Sequence, residues 1–218
     1  MRQIAVIGLS AFGMALVHSL AEERCRVLAV DIDEHKVNDV RGLADEAVIA
    51  DARERKALEA LGIPDYDAAV LSVGEPLDAS LLAVMHLRDL KVSHIFAKAV
   101  SEDHRRLLLK LGVDDAIFPE ADMARRIART LSNPSVLETI TVGQDFSLVE
   151  VAASKQFVGL TVGEVLAKLR DRVSIVAICD VLRDEVRFNP TPTSRIADSD
   201  VLCIIGKDED VRHFAARG

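Results

Sequence analysis

The chain has 218 residues, 50% of them hydrophobic and 28% charged, with a formal net charge of −8. That composition fits a soluble globular protein with one large or two modest domains. Nothing in this acidic balance points to nucleic acid as a partner, because a phosphate backbone wants clustered Lys and Arg. No run of about 18 apolar residues is present to make a spanning helix. The three cysteines, Cys25, Cys179 and Cys203, lie in or beside apolar stretches without metal-ligand spacing, and read as buried thiols in a reducing compartment.

The N-terminus begins with the apolar run Ile4-Ala5-Val6-Ile7, then Gly8-Leu9-Ser10-Ala11-Phe12-Gly13, then a helical stretch Met14 to Glu23. A second apolar run, Val27 to Val30, ends in Asp31. Gly8, Ser10 and Gly13 interrupt the apolar run, so strand, turn and helix explain these letters better than a secretory leader does. The layout is that of a nucleotide-binding βαβ unit. Gly8 turns the chain sharply out of the strand, and the helix N-terminus behind it offers N–H groups and a favourable dipole to a pyrophosphate. Gly13 lets the helix pack close to the sheet. Asp31 stands 23 residues after Gly8, near the roughly 20 expected of a ribose-binding acid. Such a carboxylate disfavours a 2′-phosphate and hence NADP. The middle position of the turn, usually glycine, is Ser10, whose side chain either narrows the site or adds a hydroxyl donor. A βαβ unit that keeps the fold without the ligand is the alternative, and Ser10 is its best support.

The alternation continues with a helix over Glu34 to Arg41, a strand over Glu46 to Ala50 ending at Asp51, and a helix over Arg53 to Leu61 stopped by Gly62 and Pro64. Next come a strand over Ala68 to Val73 ending at Gly74, and a helix over Asp78 to Leu90. That helix is apolar nearly all round, which predicts burial and a subunit interface. A strand over Ser93 to Ala97 precedes Lys98, a helix over Ser101 to Leu111 stops at Gly112, and a strand over Asp115 to Phe118 precedes Pro119-Glu120. Apolar strands alternating with helices imply a doubly wound parallel sheet. Its ligand crevice lies at the carboxyl ends of the strands, and Gly8, Asp31, Asp51, Gly74, Lys98 and Glu120 all fall just past strand ends.

A helix over Ala121 to Ser132 ends at Asn133-Pro134, and the pattern then changes. Strands are expected over Val136 to Val142, Ser147 to Val151, Val173 to Ile178, Glu185 to Phe188 and Val201 to Ile205. Thr161-Val162-Gly163-Glu164 is a capping box opening a helix through Arg170, and Asp208 to Arg217 closes as a helix. The second domain is a small α+β lobe, so the expected division is 1–134 and 135–218.

These features resemble the TrkA/KtrA family of RCK (KTN) proteins along the whole chain. The stretches carrying the likeness are Val6 to Gly13, Val27 to Asp31, Gly112 to Glu120, Phe157 to Glu164 and Asp200 to Gly206. The resemblance implies a Rossmann-like first lobe and a TrkA-C second lobe. It also implies a non-enzymatic regulatory subunit that binds ATP, ADP or NAD(H), dimerises, and builds a tetrameric or octameric ring. Such a ring docks on the cytoplasmic face of a membrane potassium-translocating subunit of the TrkH/KtrB type, as a peripheral protein. Residue by residue, it assigns Gly8, Leu9, Ser10, Ala11, Phe12 and Gly13 to the phosphate turn, and Asp31 with Ile32 to the ribose. It places Asp51 and Ala52 beside the adenine, Val73 and Gly74 at the backbone edge, and Lys98 and Glu120 near the phosphates, Glu120 also being offered to a metal cation. The family turn usually reads Gly-Leu-Gly-Arg-Phe-Gly, with the Arg on the terminal phosphate of ATP. Ser10 and Ala11 replace its second Gly and that Arg, which implies weakened preference for ATP over ADP, or NAD or an adenosine monophosphate as ligand. Some relatives bind cyclic di-AMP in the second lobe, and the matching region includes Leu169, Arg170, Ile175 and Pro192.

Two other readings stand beside this one. An NAD-dependent oxidoreductase requires an acid or base set against a substrate, yet none of the six histidines pairs with an acid at a strand end. A regulatory module for another cation transporter is the other alternative, because one chain does not show the partner surface.

Overall fold

The computed structural model describes residues 1–132, 135–168 and 172–215. It divides into two compact units, Met1–Ala121 and Asp122–Gly218. The ends expected at Asn133-Pro134, Arg170 and Arg217 lie outside the described residues.

The first unit is a six-stranded parallel sheet built from β1 (Gln3–Ile7), β2 (Arg26–Asp31), β3 (Glu46–Ile49), β4 (Ala68–Leu71), β5 (Ile95–Lys98) and β6 (Asp115–Ile117). The spatial order is β3-β2-β1-β4-β5-β6. Strand β1 pairs with β2 through Gln3–Arg26 to Ile7–Val30, and with β4 through Ile4–Ala68 to Ile7–Leu71. The chain therefore winds outward from β1 in both directions, and the reversal falls between β1 and β4. At that point neighbouring crossovers leave on opposite faces and open a crevice.

Both faces of the sheet are covered, which explains why its central strands carry no polar alternation. One side chain layer buries Ala5, Ile7, Leu28, Val30, Leu71 and Ile95. The other buries Val6, Leu9, Val17, Val27, Ala29 and Val37. The helices are α1 (Ala11–Glu22), α2 (Glu34–Val40), α3 (Arg55–Ala60), α4 (Leu77–Asp89) and α5 (Glu102–Lys110). Helix α1 starts three residues before the expected Met14, because Ser10 caps it: its Oγ accepts from the Gly13 N–H at 3.4 Å. Ala11, Phe12 and Gly13 are thus the first helical turn rather than loop. The burial expected all round α4 holds on one side only. Ala79, Ala83, Val84 and Leu87 are buried, whereas Leu77, Leu82 and Met85 face outward at 45%, 38% and 49% exposure. One sheet face can cover only one side of a helix. Gly62, in the left-handed region at φ 67°, ends the α3 segment and leads into a 3-10 turn over Ile63–Asp65 that the Gly-Pro stop signal had hidden.

Helix α6 (Pro119–Ser132) begins at Pro119, where a residue lacking an N–H is well placed. The second unit holds β7 (Val136–Val142), β8 (Phe146–Ala152), α7 (Val162–Lys168), β9 (Val173–Asp180), β10 (Glu185–Phe188), β11 (Asp200–Lys207) and α8 (Asp208–Ala215). Its antiparallel sheet has the order β10-β9-β11-β8-β7. Helices α7 and α8 cover one face over a core of Val149, Val151, Ile178, Leu202, Ile204 and Phe214, with the Phe157 and Phe214 rings 5.1 Å apart. The capping box forms as expected: the Thr161 N–H donates to Glu164 at 2.7 Å and the Glu164 N–H to Thr161 Oγ1 at 3.3 Å. All three cysteines are free thiols; Cys203 is buried, Cys25 and Cys179 half-buried. Burial, with Cys179 Sγ 3.9 Å away, pushes the Cys203 thiol up to about 12. No helix among the described residues is long and apolar enough to cross a membrane.

Candidate functional site

A cleft of ≈ 550 Å³ opens at the carboxyl end of the parallel sheet, on the reversal between β1 and β4. Gly8, Ser10, Asp31, Ile32, Ala52, Val73, Gly74 and Lys98 line it. Its floor is made where three strands end. Gly8 follows β1, Asp31 closes β2, and Ser72 follows β4.

The glycines of the turn are not interchangeable with the residue between them. Gly8 has φ +91°, and a Cβ there would lie 2.7 Å from Val73 Cγ2 and 2.8 Å from the Ser72 carbonyl carbon. A Cβ on Gly13 would lie 2.2 Å from the Gly8 carbonyl oxygen. Position 10 has φ −66°, which any L-residue adopts. The backbone at position 10 therefore carries a side chain without strain. Ser10 Oγ lies 2.5 Å from Ser72 Oγ. Leu9 and Phe12 pack into the core beneath the turn rather than the cleft.

Asp31 holds this turn in place. Its Oδ2 accepts from the Leu9 N–H at 2.6 Å and its Oδ1 from the Asp33 N–H at 2.9 Å, with Lys36 Nζ 3.9 Å away. Those two donors orient the carboxylate at the rim, and a carboxylate has further lone pairs for a ribose. Asp51 sits apart. The Arg53 side chain binds it at 2.6 Å, Arg53 N–H adds a bond at 2.9 Å, and together they hold its carboxyl below the usual range. Its neighbours Ala50 and Ala52 line the cleft in its stead. Across the cleft, Lys98 is largely buried and donates to Glu120 at 2.5 Å, which lowers the Glu120 pKa. Glu120 thus holds an ammonium, and among the described residues no group of three or more His, Cys, Asp or Glu gathers to hold a metal.

Ser72, Lys36, Asp33, Glu75 and Val100 also line the cleft and were not singled out from sequence. The expected strand over Ala68 to Val73 enclosed Ser72, whereas β4 ends at Leu71 and leaves Ser72 just past the strand end. Behind Val100 lies the buried His104. Its Nδ1 accepts from the Val100 N–H at 3.4 Å and its Nε2 lies 2.8 Å from Ser80 Oγ, whose hydrogen goes to the Leu77 carbonyl. The ring is therefore the neutral Nε2–H tautomer, and desolvation lowers its pKa. In the second unit, Ile175 is part of the core and the Pro192 carbonyl accepts the Gly163 N–H at 2.9 Å. Leu169 and Arg170 lie outside the described residues.

A TrkA-N domain matches residues 4–119 and a TrkA-C domain residues 146–217. The chain belongs to the TrkA family. This member is 36% identical to the Ktr system potassium uptake protein C of Bacillus subtilis over 216 residues, covering 99% of this chain and 97% of that protein. It is 34% identical to the Ktr system potassium uptake protein A of the same organism, covering 100% and 97%. Among solved structures, the GsuK channel bound to NAD matches with a TM-score of 0.62 at 16% identity, over 96% of this chain and 38% of that one. The GsuK bound to ADP matches 62% of this chain and 35% of that one at a TM-score of 0.53 and 13% identity. The chain thus spans nearly all of its Ktr relatives but well under half of these channel chains.

Proposed function

We propose that this protein is the nucleotide-reading regulatory subunit of a potassium uptake system. The observation that carries the reading is the match of both lobes, over nearly the full length, to two Ktr potassium uptake proteins. Residues 1–134 form its nucleotide-binding part and 135–218 its TrkA-C part. It works in the cytoplasm, bound to the inner face of a membrane potassium-translocating subunit, and reads its ligand without turning it over. Two apolar strips support self-assembly: Leu82 and Met85 on α4, and Met123, Ile127 and Leu131 on α6, all exposed. A ligand that binds two arrangements of such an assembly with different affinity shifts it between them.

The ligand is an adenine nucleotide, ADP or NAD(H), seated with its ribose on Asp31 and its diphosphate over the Gly8 turn. The fold neighbours that hold NAD and ADP agree with this class. Ala11 carries no charge for a third phosphate. An absent guanidinium forgoes a charge-assisted contact of roughly 1.5–3 kcal/mol. The cleft lining also carries Asp31, Asp33 and Glu75 against Lys36 and Lys98, a balance unsuited to a triphosphate. Calorimetric titration of ligand-stripped protein with ATP, ADP, AMP and NAD(H) tests the ligand, and a tenfold or greater advantage of ATP over ADP contradicts it. Potassium flux in vesicles holding a Ktr-type membrane subunit tests the role. Flux that is the same with and without this protein, at every nucleotide, sinks the regulatory reading.

A further inference from the structure

The hydroxyl pair Ser10–Ser72 joins the two strand ends between which the sheet reverses, across 62 residues of sequence. Both residues line the cleft, and Ser72 is 1% exposed. Their hydrogen bonds can be counted. A hydroxyl carries one hydrogen and two lone pairs. Ser10 Oγ accepts the Gly13 N–H, so that bond consumes no hydroxyl hydrogen. The bond between the two oxygens consumes one of the pair's two hydrogens. Among the described residues neither hydroxyl makes another hydrogen bond. One hydroxyl hydrogen is left over, on whichever oxygen accepts within the pair, at the edge of the cleft.

We propose that the Ser10–Ser72 pair is a phosphate-reading element of the nucleotide cleft, donating its spare hydrogen to a diphosphate oxygen; this rests on the adenine-nucleotide reading given above. The position fits. The pair sits at the N-terminus of α1, where Ser10 is the cap, and anions are favoured at that end of a helix. The donor is neutral, so it senses that a phosphate is present but not how many charges follow it. That property complements Ala11, which offers the terminal phosphate nothing. It also gives position 10 a purpose other than closing the site. Ser72 is held independently of its hydroxyl, since its N–H donates to the Ile7 carbonyl at 2.7 Å.

The test uses the full chain, stripped of ligand, as wild type, Ser10→Ala and Ser72→Ala, titrated calorimetrically with ADP, NAD and adenosine. The variant that deletes the donating oxygen is expected to bind ADP and NAD about tenfold more weakly, the size of one hydrogen bond to a charged group, and adenosine as the wild type does; the other variant identifies which oxygen donates by keeping its affinity. Wild-type affinity for ADP in both variants overturns the pair while leaving the cleft as a nucleotide site. Equal losses for adenosine and ADP also overturn it, because a merely structural serine affects every ligand alike. A wild type that binds none of the three overturns the nucleotide reading and the pair with it.

Discussion

The two sheets put their loops to different uses. In the parallel sheet every strand runs the same way, so every strand end delivers its next residues to one edge. Gly8, Asp31, Ser72 and Lys98 meet there, though as much as 90 residues of sequence separate them. In the antiparallel sheet successive strands alternate in direction, so turns are split between two ends. Its polar side chains accordingly serve the lobe itself: Thr161 and Glu164 close a cap, and Arg187 donates to the buried Asp200 at 3.2 Å. In the first unit Asp31, Ser72 and Lys98, at carboxyl ends of strands, are therefore site candidates, while Thr161, Glu164 and Arg187 of the second are braces.

The comparison is sharpest at Gly13. Placing a methyl group 2.2 Å from the Gly8 carbonyl oxygen forces the turn and α1 apart. Gly13→Ala should cost about 3 kcal/mol of stability in urea unfolding, and abolish ADP binding. Retained binding would mean that the turn does not shape the cleft. Asp31→Ala comes next. It strips an acceptor from Leu9 and Asp33, so ADP affinity should fall at least tenfold while stability falls by about 1–3 kcal/mol. Thr161→Ala, in the second unit, should lower stability by about 1 kcal/mol through the lost cap, and leave the ADP titration unchanged. A shift in ADP affinity would break the division between site and brace.

The smallest effect belongs to His104. Its ordinary pKa is 6.5 and the fold lowers it, so the unfolded chain takes up a proton first. Its contribution is whole above pH 6.5 and is lost as the pH falls below that value. His104→Gln, which keeps a donor for Ser80 without titrating, should flatten the difference between urea midpoints at pH 5 and pH 7.5. An equal difference in variant and wild type would assign the pH dependence elsewhere.

Much of this was legible in the sequence for a physical reason. Parallel strands are buried on both faces, so Val27 to Val30 and Ala68 to Val73 announce themselves as apolar runs with candidate site residues at their ends. Gly8 and Gly13 were legible because backbone geometry admits nothing else there. Three things were hidden. Ser72 is an ordinary residue whose importance comes from a partner 62 positions away. The pairing of Asp51 with Arg53, and of Lys98 with Glu120, depends on rotamers that no spacing rule encodes. The outward face of α4 was hidden because apolar residues destined for a core and for a surface use the same letters.

The winding order sets a timetable for assembly. A chain emerging from its N-terminus completes the glycine turn, α1 and the strand that ends in Asp31 early, from local contacts alone. The second wall arrives only when β4 inserts beside β1, after two further strand–helix passages, and closing so distant a contact is slow. Until then a nucleotide finds half a cleft. Ligand present during synthesis can therefore stabilise the finished first unit by mass action but cannot template its early steps, so it should slow unfolding and leave the refolding rate unchanged.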